Sequence, residues 1–291
     1  VNELAPREPV TDERAIGLWL SRYSSPETRR AYSRDVVEYL QVIGKPLAET
    51  SLAETIAFSD YLARYQPSTK SRKIGTIKSL HKFLADPAVG YLRSNPWSLV
   101  RWSSPSPKAE HRILTESEVM RLLVASRTPR QRAVLDLLYY GGMRAAEVRA
   151  ATWNDLEARP DIASGQISIH GKGSKTRVTL LPPSIWTTLN VWGQLVYLGD
   201  PKPDAPIVPS QKGGPISVSA IWRVVRVLAL KAGIDKPVSP HWLRHCHATH
   251  AIHRGCPIEL VADDLGHESL QTTRRYIHRR PTQGSALYLP V

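Results

Sequence analysis

A chain of 291 residues, 42% hydrophobic and 22% charged, has the balance of a folded protein of two domains and not of a disordered one. Its 39 basic against 26 acidic side chains give a formal charge of +13, which points to a polyanionic partner, because neutralising phosphates releases condensed counterions. With two cysteines, no apolar signal core and no apolar run of roughly 18 residues, the sequence argues against a disulfide scaffold, a zinc module and a membrane span, and makes the cytoplasm the expected location.

In chain order, Thr11-Asp-Glu-Arg opens a helical run with Ile16, Leu18, Trp19, Leu20 and Tyr23. Ser25-Pro26-Glu27 is a second helix start, with a capping serine, a first-turn proline and an acid near the positive end; Gly44 ends that helix. Ser51 to Tyr65 gives a third helix and Ser68 to Leu84 a fourth. On the fourth, Lys70, Arg72, Lys73, Lys78 and Lys82 are expected on the exposed face, and the first four are candidate phosphate contacts.

Proline, serine and lysine then interrupt the periodicity from 95 to 112, so the expected division is a helical domain over 1–100, a linker over 101–111 and a second domain over 112–291. Both halves are basic, with 15 against 11 charges over 1–106 and 24 against 15 over 107–291. In the second domain, Thr115 and Gln131 start helices, and Gly141-Gly142 breaks the chain before Arg144. Gln166–His170 and Thr176–Leu181 alternate as strands around the glycine-rich turn 171–175, a hairpin. The remainder reads as helices over 184–195, 218–232, 240–254, 258–265 and 269–277. The expected class is mainly α with a small β-sheet.

Four segments stand out: Gly142-Met-Arg-Ala-Ala-Glu147, Gly171-Lys-Gly173, His241-Trp-Leu-Arg244, and Leu265-Gly-His267 followed nine residues later by Tyr276. His241 and Arg244, three apart near a helix start, share a face where helix N–H groups favour anions. Glycine frees the backbone before Arg144, and Glu147, three residues later, can orient that guanidinium or cap its own helix. Lys172 lies at a hairpin tip, from which a long cation can swing over a phosphate; Lys175 is the second candidate there.

In that order these segments, GMRAAEV, GKGSKTR, SPHWLRHCHATH and LGHESLQTTRRYIH, resemble the motif boxes of the tyrosine recombinases, the family of lambda-type integrases and Xer resolvases. The resemblance covers about 112–280 and extends more weakly to SSPETRRAYSRDVVEYLQVIG in the first domain. It implies an N-terminal SAM-like helical bundle and a C-terminal catalytic domain, closing as a C-shaped clamp on double-stranded DNA at specific recombination sites. It further implies a tetramer on DNA, with a paralogue or a DNA-bending accessory protein as further partners, in a bacterial nucleoid. Tyr276 would attack the scissile phosphate to give a 3′-phosphotyrosine, and Arg144 and Arg244 would grip the phosphate. Lys172 would protonate the leaving 5′-oxygen, His241 would assist proton removal from the tyrosine, and His267 would hydrogen-bond the phosphate. Neither ATP, a metal nor another cofactor would be needed.

Other readings compete. His241 and His245 have the spacing of a metal pair, but no glutamate lies between them and Arg244 would repel a cation. His245, His247, His250 and His253 are expected as packing or surface residues. Tyr139 and Tyr140 read as core, leaving Tyr288 as a rival nucleophile. A type IB topoisomerase, or a non-catalytic DNA-binding regulator with the same fold, are the alternative functions. The apolar end 286–291 is a candidate extended segment for packing on a neighbouring subunit.

Overall fold

A computed structural model of the protein describes residues 11–100, 113–171 and 176–266. Its contacts divide the chain into two compact units, Val1–Pro107 and Lys108–Val291.

The first unit is built on helices α1 (Asp12–Ser21), α2 (Pro26–Ile43), α3 (Leu52–Tyr61) and α4 (Pro67–Leu84). Their ends are set locally. The Ser25 hydroxyl accepts from the Thr28 N–H at 3.3 Å, Pro26 fills the first turn, and Gly44 closes α2 at φ 63°. Ser51 and Glu54 form a capping box on α3, whose expected continuation to Tyr65 tightens after Tyr61 into a 3-10 turn. Trp19, Tyr39, Phe58, Leu62, Ile74, Ile77, Leu80 and Leu84 make the core, joined by Trp97 from a short turn at Pro96–Ser98. Trp97 donates its indole N–H to the Tyr39 hydroxyl at 3.3 Å. Residues 95–100, which lack periodicity, thus belong to this core through one aromatic anchor.

The basic face expected on α4 needs correction. Lys73 is buried, not exposed: its ammonium donates to Asp35 at 3.1 Å and also to Glu38. Arg72 closes on the same Asp35 through both terminal nitrogens, and the Thr76 hydroxyl donates to it at 3.1 Å. The reason lies on α2, where the helical period brings Asp35 and Glu38 to the α4 seam; a carboxylate buried there requires cations beside it. Lys78 is half-buried, donating to the Val100 carbonyl at 2.8 Å. Lys70 is half-buried, and Lys82 is exposed as expected.

The second unit contains helices α5 (Glu116–Val124), α6 (Pro129–Tyr139), α7 (Ala145–Ala150), α8 (Pro183–Tyr197), α9 (Val218–Lys231), α10 (Pro240–His253) and α11 (Ile258–Leu265). One antiparallel sheet is ordered β1 (Leu156–Arg159), β2 (Ser164–His170), β3 (Thr176–Leu181). The hairpin register pairs Gly165 with Leu181 and His170 with Thr176. β1, not anticipated from the sequence, is a four-residue edge strand without clear alternation. Helix α8 covers the sheet closely enough that a Cβ on Gly165 would lie 2.2 Å from the Trp186 ring. Helix α10 runs through the middle of the unit against α5, α6, α9 and α11. Its burial explains two residue choices. The Cys246 thiol, pushed up to about 12 by burial, accepts from the Leu114 N–H at 3.2 Å and is a packing group. His250 bridges the Leu114 carbonyl and the Tyr139 hydroxyl, each at 2.9 Å.

Candidate active site

Three arginines converge on one carboxylate. Glu147, in the first turn of α7, is 8% exposed. Its Oε2 accepts from the Arg144 backbone N–H at 2.7 Å, and its Oε1 accepts from the Arg144 guanidinium at 2.7 Å. It therefore caps α7 and holds the Arg144 guanidinium. Arg177 of β3 meets the same carboxylate as a fork, Nη1 to Oε1 at 3.0 Å and Nη2 to Oε2 at 2.7 Å. Arg244 of α10 brings Nη1 to 3.8 Å of Oε2. Burial alone would raise the Glu147 carboxyl. The hydrogen bonds from Arg177 and from Arg144 outweigh that effect and hold it at about 2.

The arginines differ in exposure, and the difference separates their tasks. Arg144 leaves 47% of its side chain exposed, so its guanidinium can reach a ligand. Arg244 is 1% exposed, and its two terminal nitrogens donate to the Gly142 and Leu265 carbonyls. A guanidinium has five N–H groups in a rigid plane, so two such bonds fix that plane. Arg177, with 10% of its side chain exposed, also donates Nε to the Asp264 carbonyl at 2.7 Å. Arg177 and Arg244 thus both hold the carboxyl end of α11, where the helix dipole favours cations.

Glycine is required at the turn before Arg144. Gly142 adopts φ 57°, and a Cβ there would lie 3.1 Å from a Leu265 methyl and 3.2 Å from the His247 ring. His247 packs in that corner, with Nδ1 2.8 Å from the Tyr139 carbonyl oxygen. Burial, reinforced by the charges of Arg244 and Arg177, lowers its pKa to about 4, so it is neutral at physiological pH.

His241 opens α10 one turn before Arg244, exposed where Arg244 is buried, with its ring 4.2 Å from that of His245 in an edge-on contact. His170, the last residue of β2, is fixed with its Nδ1 3.0 Å from the Thr176 hydroxyl and its Nε2 3.0 Å from Asp155. Lys172, Lys175, His267, Tyr276 and Tyr288 lie outside the described residues, as do the helix expected at 269–277 and the tail. Among the rivals, Tyr139 is buried and its phenol is raised by that burial. No group of three or more metal-ligating side chains occurs among the described residues.

Arg177 is not among the site residues expected from the sequence. Its signal was present: alternation along β3 places residues 177, 179 and 181 on one face, and that face turns inward at Thr179 and Leu181. An arginine in phase with buried positions needs a buried partner.

The chain belongs to the phage integrase family: that family's model matches residues 112–283, and the model of its N-terminal SAM-like domain matches 15–87. Among curated proteins it is similar to tyrosine recombinase XerD of Oceanobacillus iheyensis, 32% identical over 281 residues, 90% of each chain. Among solved structures it resembles XerH site-specific recombinase bound to its difH substrate before cleavage, at TM-score 0.72 and 20% identity over 94% of this chain and 82% of that one. It also resembles a lambda integrase tetramer on a Holliday junction, at TM-score 0.69 and 17% identity over 89% and 76%. The two structural likenesses establish the fold.

Proposed function

We propose that this protein is a site-specific DNA recombinase that cuts and rejoins strands through a 3′-phosphotyrosyl intermediate at Tyr276. The observation that carries the reading is the arginine cluster. Three guanidiniums around one carboxylate leave an excess of positive charge among these four side chains, and the exposed member faces outward, as a site for a phosphodiester requires. The relatives are named tyrosine recombinases, which weighs against the topoisomerase and regulator alternatives.

In this reading Arg144 and Arg244 hold the non-bridging oxygens and offset charge that builds as the tyrosine oxygen attacks phosphorus. The O5′–P bond breaks as the new bond forms, Lys172 protonates the departing oxygen, and His241 receives the phenolic proton. His267 hydrogen-bonds the phosphate. A free phenol has a pKa near about 10, so the arginine field and a base are what make it reactive at neutral pH. Resealing is the reverse step with a 5′-hydroxyl from another strand, so ATP is not consumed.

Recombination sites in double-stranded DNA are the substrate, and a homotetramer is the active assembly, supported by the lambda integrase tetramer. A paralogue or DNA-bending protein would join it in a bacterial cytoplasm, on nucleoid DNA. Duplex contacts by the first unit would come from Lys70, Arg72 and Lys78, and by the second from Lys175. Lys73, bound to Asp35 and Glu38, is withdrawn from that set. Exposed Arg29, Arg30 and Arg34 of α2, which line an open depression with Leu20 and Ser33, replace it.

The test is covalent capture. The protein is incubated in EDTA with nicked duplexes from a randomised-sequence library, beside Tyr276→Phe. A protein–DNA adduct that survives denaturation and disappears in Tyr276→Phe is expected. Tight binding without an adduct would favour the regulator, and an adduct persisting in Tyr276→Phe would transfer the nucleophile's role to another residue.

A further inference from the structure

We propose that Arg177 is a positioning residue of this site, a role that rests on the recombinase reading above: it balances Glu147 and ties the phosphate-gripping arginines to the end of α11. Glu147 carries the heaviest load among these side chains. Its two oxygens receive two hydrogen bonds from Arg144 and two from Arg177, with Arg244 at 3.8 Å. Were Arg177 absent, Arg144 and Arg244 would be the cations left beside the carboxylate among the described residues. It would then draw on the charge those two groups must present to phosphate. Arg177 supplies the counter-charge from a third direction, leaving Glu147 to orient its neighbours without neutralising them.

Arg177 also reaches a second element. Its Nε donates to the Asp264 carbonyl at 2.7 Å. Two residues on, Gly266 turns at φ 59°, and a Cβ there would lie 3.2 Å from the Arg177 Cδ. The residue that follows is His267. One planar fork therefore sets strand β3, the first turn of α7 and the exit of α11 in a single arrangement. Arginine suits this task and lysine does not, because a single ammonium cannot serve a carboxylate fork and a carbonyl in one plane.

The experiment uses a nicked duplex recovered by covalent capture with the unaltered protein, and the same duplex carrying a neutral methylphosphonate at the attacked phosphate. Arg177→Ala and Arg177→Lys are compared with the unaltered chain for duplex affinity, thermal unfolding and adduct rate. Affinity is expected to change little, and the adduct rate on the phosphate duplex to fall about 100-fold or more in both variants. The methylphosphonate needs no charge neutralisation, so on it the deficit is expected to shrink by at least about tenfold. A purely structural defect would depress both duplexes equally, and that result overturns the proposal, as does an undiminished rate in either variant. Should Arg177→Ala fail to fold, Arg177→Lys carries the test. A chain that captures no duplex at all overturns the recombinase reading, and the proposal falls with it; capture by the unaltered chain with an insensitive Arg177 overturns the proposal alone.

Discussion

The guanidinium of Arg244 donates to the carbonyl of Gly142, two residues before Arg144. One arginine of the site thus holds the turn from which the other projects. Since Arg244 simultaneously holds the Leu265 carbonyl, its replacement should disturb α7 and α11 together.

Arg244→Lys is expected to lower the adduct rate by at least about 100-fold, the scale on which lost transition-state donors are felt. It should also cost about 1–3 kcal/mol of stability, because a buried carbonyl is left unmatched. Adduct kinetics and chemical denaturation measure the two effects. A variant with full stability and lost activity would show that the carbonyl contacts add nothing to the fold.

Gly142→Ala tests the turn itself. A positive φ costs an alanine about 1–2 kcal/mol, and the His247 ring and Leu265 methyl, 3.2 and 3.1 Å from the added carbon, must also give way. Expected are a destabilised protein and a slower adduct, since Arg144 is displaced by the same adjustment. His247→Ala in the Gly142→Ala background should recover part of the activity if crowding is the cause. No recovery would assign the whole effect to backbone strain.

Much of this site was legible in the sequence because its elements are local. In the first unit Ser25-Pro26 and Gly44 announce the ends of a helix, and beside the site the hairpin announces itself by alternation around glycines. Arg144 and Glu147 are three apart, so their bond is a matter of helical spacing. What escaped was long-range. Arg177 meets Glu147 across 30 residues, and Lys73 meets Asp35 across 38. No local period reveals whether a basic residue faces water or a buried acid on another helix. The misplaced Lys73 and the missed Arg177 are the same omission, a buried carboxylate on one element recruiting a cation from another.

Glu147 should make stability depend on acid. Its folded pKa, about 2, lies below the ordinary carboxylate value of 4.5, so its contribution is complete above about pH 5 and is lost as pH falls toward 2. Glu147→Gln should flatten the unfolding free energy of the second unit across that window while weakening it at neutral pH by about 3–5 kcal/mol, the cost of leaving buried cations without their partner. Denaturant titrations at pH 3, 5 and 7 read both effects. An unchanged acid slope would mean that other carboxylates dominate it.

His81 supplies the opposite case, a buried group that detracts from stability. It is 0% exposed among Tyr39 and Trp97, and neither ring nitrogen has a hydrogen-bond partner among the described residues. Burial lowers its pKa from 6.5 to about 4. The unfolded chain therefore binds a proton that the folded one does not, so stability is full above about pH 6.5 and declines as pH falls toward 4. His81→Leu removes both that decline and the unsatisfied nitrogens. The first unit should gain about 1–3 kcal/mol at pH 7 and more at pH 5, and its helices should melt later when followed by circular dichroism. A loss of stability at both pH values would show that the imidazole fills the space between the two rings better than an aliphatic chain does, and that packing there outweighs the polar penalty.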